Sequence, residues 1–230
     1  MIGYLIEQEL SNLLQGKAIA TLLTQTRVDP KDPAFSRPTK PIGPIYDEAT
    51  ARRISAARGW RIARDGTAWR RVVPSPAPIE LLEARVIALL VDREVAVICA
   101  GGGGIPVIER PDGSLAGVGA VVDKDFASAL LARQLKAELL LMLTDVDAVN
   151  LGYGTPAARA IRRATPSDLA AEDFPAGSMG PKIAAAKEFA LGTGRPAAIG
   201  RLDDALQIVR GEQVTWIDVP GPAEDRPRER

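Results

Sequence analysis

The sequence predicts an α/β protein with parallel strands, and two observations carry this prediction. Residues 95–100 and 139–143 are continuous apolar runs, as expected of parallel strands that are covered on both faces. Other segments, such as residues 1–14 and 79–93, repeat apolar side chains three and four positions apart, which is the spacing of an amphipathic helix. Strands that alternate with such helices indicate a sheet with helices on its faces.

The composition excludes several function classes. The chain has 230 residues, 46% hydrophobic and 25% charged, which is ordinary for a globular protein of one or two domains. Lysine plus arginine equals aspartate plus glutamate at 29 each, so we expect neither nucleic acid nor a membrane as a partner. The absence of histidine from the sequence excludes histidine-based triads, bases and metal ligands. The single cysteine, Cys99, favours a reducing cytoplasm.

The first predicted elements lead into a proline-rich loop. Residues 1–14 predict a helix that Gly16 ends, and residues 18–24 predict a buried strand. Five prolines then stiffen residues 29–44, and Lys40 lies among them. Such a restrained backbone could aim the Lys40 ammonium at a phosphate, although a solvated loop lysine is the simpler interpretation.

Residues 29–78 predict a small inserted α+β lobe. Asp47 is placed to cap a helix that reaches Arg58, with Gly59 beyond it. The dipeptide at residues 65–66, Asp-Gly, predicts a hairpin between residues 60–63 and 68–73. For the pair at residues 70–71, Arg-Arg, we favour a surface role over ligand binding.

A run of glycines follows the strand at residues 95–100. Each glycine costs folding entropy, so four in succession suit a loop whose N–H groups approach an anion; they are Gly101, Gly102, Gly103 and Gly104. A second Asp-Gly hairpin is expected at residues 112–113, and Asp125 is placed to cap a helix through Leu135.

The last third of the chain offers two more candidate binding segments. Asp145 and Asp147 follow the strand at residues 139–143, where they could hold a ribose, a metal ion or a helix N-terminus, or serve only as turn residues. Residues 177–182 lead into a helix that should begin near Pro181, run to Leu191 and end at Gly192. Lys182 would then lie at the N-terminus of this helix, where it could face an anion. A strand at 197–199, a helix at 202–209 and a strand at 214–219 should finish the sheet.

Taken in order, these motifs resemble the carbamate kinases of the amino acid kinase superfamily. The segments that carry the resemblance are residues 32–35, 38–44, 70–76, 100–106, 123–131, 143–149 and 177–182. The resemblance covers the chain to about residue 217. It implies a three-layer αβα sandwich with a mainly parallel sheet, as a single domain of residues 1–217 with the inserted lobe at about 29–78 and a disordered tail at 218–230.

The resemblance also implies an activity and a site. Carbamate kinases transfer a phosphoryl group between ATP and carbamate, giving ADP and carbamoyl phosphate, often toward ATP in arginine catabolism, with Mg²⁺ on the nucleotide, as cytoplasmic homodimers. The implied catalytic residues are Lys40, Lys124, Asp125 and Lys182. The four glycines at 101–104 would bind the substrate, and the nucleotide would contact Asp145, Asp147, Ser178, Met179 and Lys182. No residue is assigned as a metal ligand.

The chain departs from the family at its start. The family begins with a strand that ends in Gly-Gly-Asn and later has a His-Gly-Asn-Gly-Pro-Gln segment, and neither occurs here. We therefore expect an N-terminally truncated fold with impaired catalysis. The alternative is an inactive truncated homologue that binds adenine nucleotide or only dimerises. A third hypothesis, an amino acid kinase with another acceptor, is disfavoured by the Lys40 loop.

Overall fold

The computed structural model describes residues 2–170, 174, 179–211 and 214–219. The chain divides into two compact units, Met1–Ala127 and Ser128–Arg230. The first contains helices α1 (Ile2–Leu13), α2 (Glu48–Arg58) and α3 (Ala84–Val91), and α4 (Lys124–Gln134) begins in it. Its strands are β1 (Ile19–Thr21), β2 (Gln25–Val28), β3 (Lys40–Tyr46), β4 (Ile62–Asp65), β5 (Ala68–Val73), β6 (Pro78–Leu81), β7 (Ala96–Ile98), β8 (Ile105–Glu109) and β9 (Leu115–Gly117).

The second unit contains helices α5 (Met179–Thr193) and α6 (Ala205–Val209) besides the rest of α4. Its strands are β10 (Leu140–Thr144), β11 (Val149–Leu151), β12 (Arg159–Ile161), β13 (Arg163–Ala164), β14 (Ala197–Arg201) and β15 (Thr215–Ile217). The predicted tail, apart from residues 218–219, lies outside the described residues.

Three sheets form in the first unit. β1 pairs with β7 in parallel, and β6-β2-β8-β9 form a four-stranded sheet in which β2 and β8 are parallel. The two outer strands of this sheet, β6 and β9, run antiparallel to their neighbours. Beneath the sheet, Val28, Val122 and Ala127 form a buried cluster with Phe35, Ile108 and Val118 packed against it. The start of α4 is therefore anchored in this core.

The third sheet, β3-β5-β4, carries helix α2 and lies within the predicted lobe. The Asp47 side chain accepts a hydrogen bond from the Thr50 N–H at the start of α2, and Gly59 ends the helix with φ of 64°. β4 and β5 form the expected hairpin, with Asp65 opposite Ala68. Both local predictions are confirmed. The lobe bounds 29–78 and the single domain 1–217 stay predictions.

In the second unit the main sheet has the order β10-β14-β15-β13. β10 and β14 are parallel, β13 and β15 are parallel, and β14 and β15 are antiparallel. Helix α5 packs on β14 and buries an apolar face that consists of Ile183, Ala185, Ala186, Phe189 and Ala190. Strands covered by helices confirm the α/β fold class.

Long-range contacts overturn the prediction of one continuous helix at residues 79–93. Residues 78–81 form strand β6 instead, antiparallel to β2, and α3 begins only at Ala84. The Arg27 guanidinium lies 2.9 Å from the Glu80 carboxylate across this pair of strands. The helical spacing of residues 79–82 was therefore overridden by a sheet neighbour more than 50 residues away in the chain.

Other differences concern element ends. Of the predicted buried strand 18–24, only the short, partly exposed β1 forms, and β2 begins after it at Gln25. Strand β7 is likewise only half-buried. Helix α5 begins at Met179 among the described residues and continues through Gly192 to Thr193, with Gly194 at φ of 68°. The helix predicted at 202–209 is a 3₁₀ turn at Leu202–Asp204 followed by the short α6.

The buried face of α5 gives the first testable prediction. Phe189→Ala should lower the free energy of unfolding by about 3–5 kcal/mol, because the ring is fully buried and its removal leaves a cavity. Leu191→Ala on the same helix should change it by only about 0.5 kcal/mol, since Leu191 is exposed. Urea unfolding followed by far-ultraviolet circular dichroism measures both. Equal effects of the two substitutions would contradict this placement of α5.

Candidate active site

An ion pair joins the base of the predicted lobe to the segment before α4. Lys40 is the first residue of β3 and pairs with Val73 of β5. Its Nζ lies 2.5 Å from Oδ2 of Asp123, with 32% of the lysine side chain and 12% of the aspartate side chain exposed. The restrained loop at residues 29–44 thus delivers Lys40 to a specific carboxylate.

The other oxygen of Asp123 caps α4. Oδ1 accepts a hydrogen bond of 2.9 Å from the Asp125 N–H, and the Asp123 carbonyl accepts from the Ala127 N–H. Asp123, rather than Asp125, is therefore the capping residue, which corrects the sequence prediction. The two acids are only two positions apart, and sequence alone could not tell which would face the helix end.

Asp123 is held in its ionised form. Burial alone would raise the pKa of its carboxyl group, but the hydrogen bond from Lys40, the Asp125 N–H and the charges of Lys40 and Lys124 together outweigh this effect and hold that pKa below the usual 3.8. The carboxylate is consequently negative at neutral pH and attracts the Lys40 ammonium.

The glycine loop is fixed beside the same segment. Thr26 of β2 donates a 2.8 Å hydrogen bond from Oγ1 to the Gly103 carbonyl, and Thr24 accepts one from the Ala100 N–H. A methyl group on Gly103, whose φ is +129°, would overlap the Val122 carbonyl oxygen, and one on Gly104 would overlap Thr26 Oγ1. The loop therefore needs glycine at these two positions for close approach to its neighbours.

The first unit thus brings several predicted site residues together. Gly103 packs on Val122, and Asp123, the next residue, binds Lys40. Lys124 follows, mostly exposed, with its Nζ 4.0 Å from the buried Asp125 carboxylate. Asp123 was missed as a site residue. The sequence did offer a signal, since Asp123 lies directly before Lys124 at a predicted helix start. The nearby Asp125 was predicted to be the functional acid instead.

The second unit has an open pocket where two parallel strands end. β10 and β14 finish side by side, with Thr144 opposite Arg201. A pocket of about 410 Å³ lies there, lined by Leu143, Thr144, Asp145, Arg201, Leu202 and Asp203. Ligands of open α/β sheets bind beyond such strand ends, so Asp145 occupies a position suited to ligand binding. Asp147 lies 3.5 Å from the guanidinium of Arg162.

Two of the remaining predicted residues, Met179 and Lys182, lie near the start of α5. Lys182 is buried with 9% exposure, and Met179 is the first residue of the helix. Ser178 lies outside the described residues. Across the part of the chain that the structure describes, no group of three or more acidic or cysteine side chains is arranged to hold a metal ion.

Comparison with known proteins decides the family. The model of the amino acid kinase family matches residues 35–201. The carbamate kinase of Rhizobium meliloti is 48% identical over 97% of this chain and 74% of its own length. That of Haemophilus influenzae is 49% identical over 94% of this chain and 70% of its own. The chain belongs to the carbamate kinase family.

A solved carbamate kinase shows the same fold. The enzyme from Giardia lamblia bound to AMP-PNP is 41% identical, superposes with a TM-score of 0.84, and is matched over 94% of this chain and 72% of its own. The α/β sandwich of the amino acid kinase fold is thereby confirmed, as is membership in a family of phosphotransferases. Within the described residues, each helix is too short or too polar to cross a bilayer.

Substitution of neighbouring glycines tests the geometry of this carbamate kinase loop. Gly103→Ala should destabilise the chain by about 1–3 kcal/mol, because its methyl group collides with the Val122 backbone and its φ suits only glycine. Gly102→Ala should be tolerated, since φ there lies outside the positive range that disfavours other residues and the added methyl group meets open space. Denaturant unfolding of both variants gives the comparison, and a Gly102 variant that is as unstable as the Gly103 variant would refute it.

The depressed pKa of Asp123 makes a prediction about acid stability. An ionised Asp123 stabilises the folded chain above the unfolded-state pKa near 3.8, and this stabilisation is lost as pH falls through the lower folded-state value. The stability difference between wild type and Asp123→Asn should therefore shrink between pH 6 and pH 3. Urea titrations at several pH values measure it, and a difference that stays constant over this range would contradict the assignment.

Proposed function

We propose that this chain transfers a phosphoryl group between ATP and carbamate, forming ADP and carbamoyl phosphate or the reverse. The observation that carries the proposal is the Lys40 ammonium, held 2.5 Å from Asp123 beside a glycine loop that Thr26 fixes. A loose phosphoryl-transfer transition state mainly needs fixed positive charge and N–H donors around the moving group. Lys40 would supply the positive charge here, and the glycine loop a backbone N–H donor, without histidine or cysteine.

The roles of the first-unit residues follow from their chemistry. Lys40 would contact the transferring phosphoryl group. The glycine loop at residues 101–104 would bind the carbamate and phosphate oxygens. The N–H groups of Gly101, Gly103 and Gly104 donate to the carbonyls of Cys99 and Ala100, so Gly102 is the loop's candidate N–H donor. Asp125, buried at the start of α4, would orient the active-site lysines, with Lys124 beside it.

The nucleotide is assigned to the second unit. Asp145 lines the pocket at the ends of β10 and β14, and Asp147 lies two residues further along the chain. Lys182 of α5 would contact the nucleotide phosphates, and Ser178 and Met179 would also bind the nucleotide. The Giardia relative binds AMP-PNP, an ATP analogue, which supports adenine nucleotide as the ligand.

Mg²⁺ fits this proposal as a partner of the nucleotide. Mg²⁺ usually keeps several waters and binds substrate phosphates with only one or two carboxylates. A protein cage of acidic residues is therefore unnecessary, and the described residues offer none. When bound, the ion would neutralise charge on the phosphates, and Asp145 is a candidate for a contact to its waters. The homodimer and the cytoplasmic location stay part of the proposal.

Substitution of two loop lysines tests the activity. We expect the chain to make ATP from ADP and carbamoyl phosphate, and Lys40→Met to lower kcat by about 10²–10³-fold, the usual loss when one stabilising donor is removed. Lys31→Met, in the same loop but exposed, should leave the rate unchanged. A coupled assay measures the rates, and calorimetry measures ADP binding.

The two measurements separate the proposal from its alternative. ADP binding without turnover by the wild-type chain would overturn the proposal and support a nucleotide-binding homologue without activity. Equal rates for Lys40→Met and Lys31→Met would instead remove Lys40 from the site. Failure of the wild type to bind ADP would overturn the nucleotide assignment.

A further inference from the structure

We propose that Asp123 is a positioning residue for the phosphoryl transfer, which holds the Lys40 ammonium and the first turn of α4 in one arrangement. This inference rests on the proposed function and adds to it a residue that the family resemblance did not supply. Oδ2 of Asp123 binds Lys40 Nζ at 2.5 Å, and Oδ1 binds the Asp125 N–H at 2.9 Å. One carboxylate thus connects the residue that would contact the phosphoryl group to the turn that carries Lys124 and Asp125.

The backbone around Asp123 makes the same connection. The Val121 N–H donates a 3.0 Å hydrogen bond to the carbonyl of Pro74, directly after β5. β5 pairs with β3 at Val73 and Lys40. The base of the β3-β5-β4 sheet therefore meets residues 121–123 through a backbone bond and through the Lys40–Asp123 pair. Gly103 packs on Val122 between these two points.

A lysine at such a position gains from a fixed partner. Its ammonium lies at the end of a flexible four-carbon stem and has three donors. Asp123 uses one of these donors and restricts the stem, and the other two can still bind phosphoryl oxygens. The Asp123 side chain is only 12% exposed, so water screens the attraction less than at a surface pair.

Capping of α4 is a competing explanation for Asp123, and Asp123→Asn separates the two roles. Asparagine is as good an N-cap as aspartate, so the bond to the Asp125 N–H can be kept. It carries no charge, so the attraction to Lys40 is lost. Asp112→Asn is the matched control, because Asp112 also accepts an N–H two residues on, from Ser114 at 2.9 Å, but its side chain bonds a serine rather than a lysine.

The experiment combines a chemical and a kinetic measurement on the full chain. Limited acetylation followed by mass spectrometry reports how fast Lys40 reacts. Asp123→Asn should raise the Lys40 acetylation rate several-fold and lower kcat about 10–100-fold, with KM for ADP within twofold of wild type. Asp112→Asn should leave all three quantities unchanged, and circular dichroism should show native helix content in both variants.

The acetylation rate tests the contact between Asp123 and Lys40, and kcat tests whether that contact matters for phosphoryl transfer. Unchanged Lys40 acetylation in Asp123→Asn overturns the inference whatever the rate does. Faster acetylation with unchanged kcat shows a purely structural contact and also overturns it. A wild-type chain that makes no ATP, with Lys40 still protected by Asp123, overturns the proposed function and its catalytic extension but confirms the contact.

Discussion

The ionised carboxylate of Asp123 is the constraint on which the candidate site of the first unit depends. A buried negative charge is costly unless hydrogen bonds and an opposite charge compensate it. Here the compensation comes from two directions, the Asp125 N–H of α4 and the Lys40 ammonium of β3. Because both partners are needed, satisfying this one group brings elements from residues 40 and 123–125 into contact. The need to compensate the buried Asp123 charge thereby helps to fix how β3 packs against the start of α4.

The glycine loop adds a constraint of shape. Gly103 and Gly104 leave room for the Val122 carbonyl and for the Thr26 hydroxyl, whereas Gly102 faces open space. The sequence predicted that the glycine run approaches an anion, and this role stays a prediction. The close approach of Gly103 and Gly104 to other parts of the chain could not be predicted, because the neighbours that crowd them are about 20 and 80 residues away in the sequence. Thr24 and Thr26, which pin the loop, gave no sequence signal, since threonine in a strand is ordinary.

Local chemistry explains which elements the sequence predicted well. Asp47 and Gly59 set the two ends of α2 through hydrogen bonds within a few residues. The Asp-Gly turns at 65–66 and 112–113 bring adjacent strands together. Residues 78–81 show the opposite case. Their apolar spacing fits a helix, but pairing with β2 and the ion pair between Arg27 and Glu80 make them a strand. Propensity decides the conformation only where no distant partner competes for it. The other candidate site residues, including Lys182, were predicted from the family resemblance, because the spacing around Lys182 alone was only modestly informative.

The turn Asp123-Lys124-Asp125 shows how charge is distributed at the start of α4. Both acids are buried and lie in the helix's first turn or its cap, where the positive end of the macrodipole favours negative charge. The lysine between them is 60% exposed, so its ammonium projects toward solvent and is only weakly neutralised by Asp125 at 4.0 Å. Lys40 is paired more closely, yet two of its three donors remain available to a ligand. The helix dipole thus stabilises the two carboxylates, so their negative charges do not depend on the lysines alone for compensation.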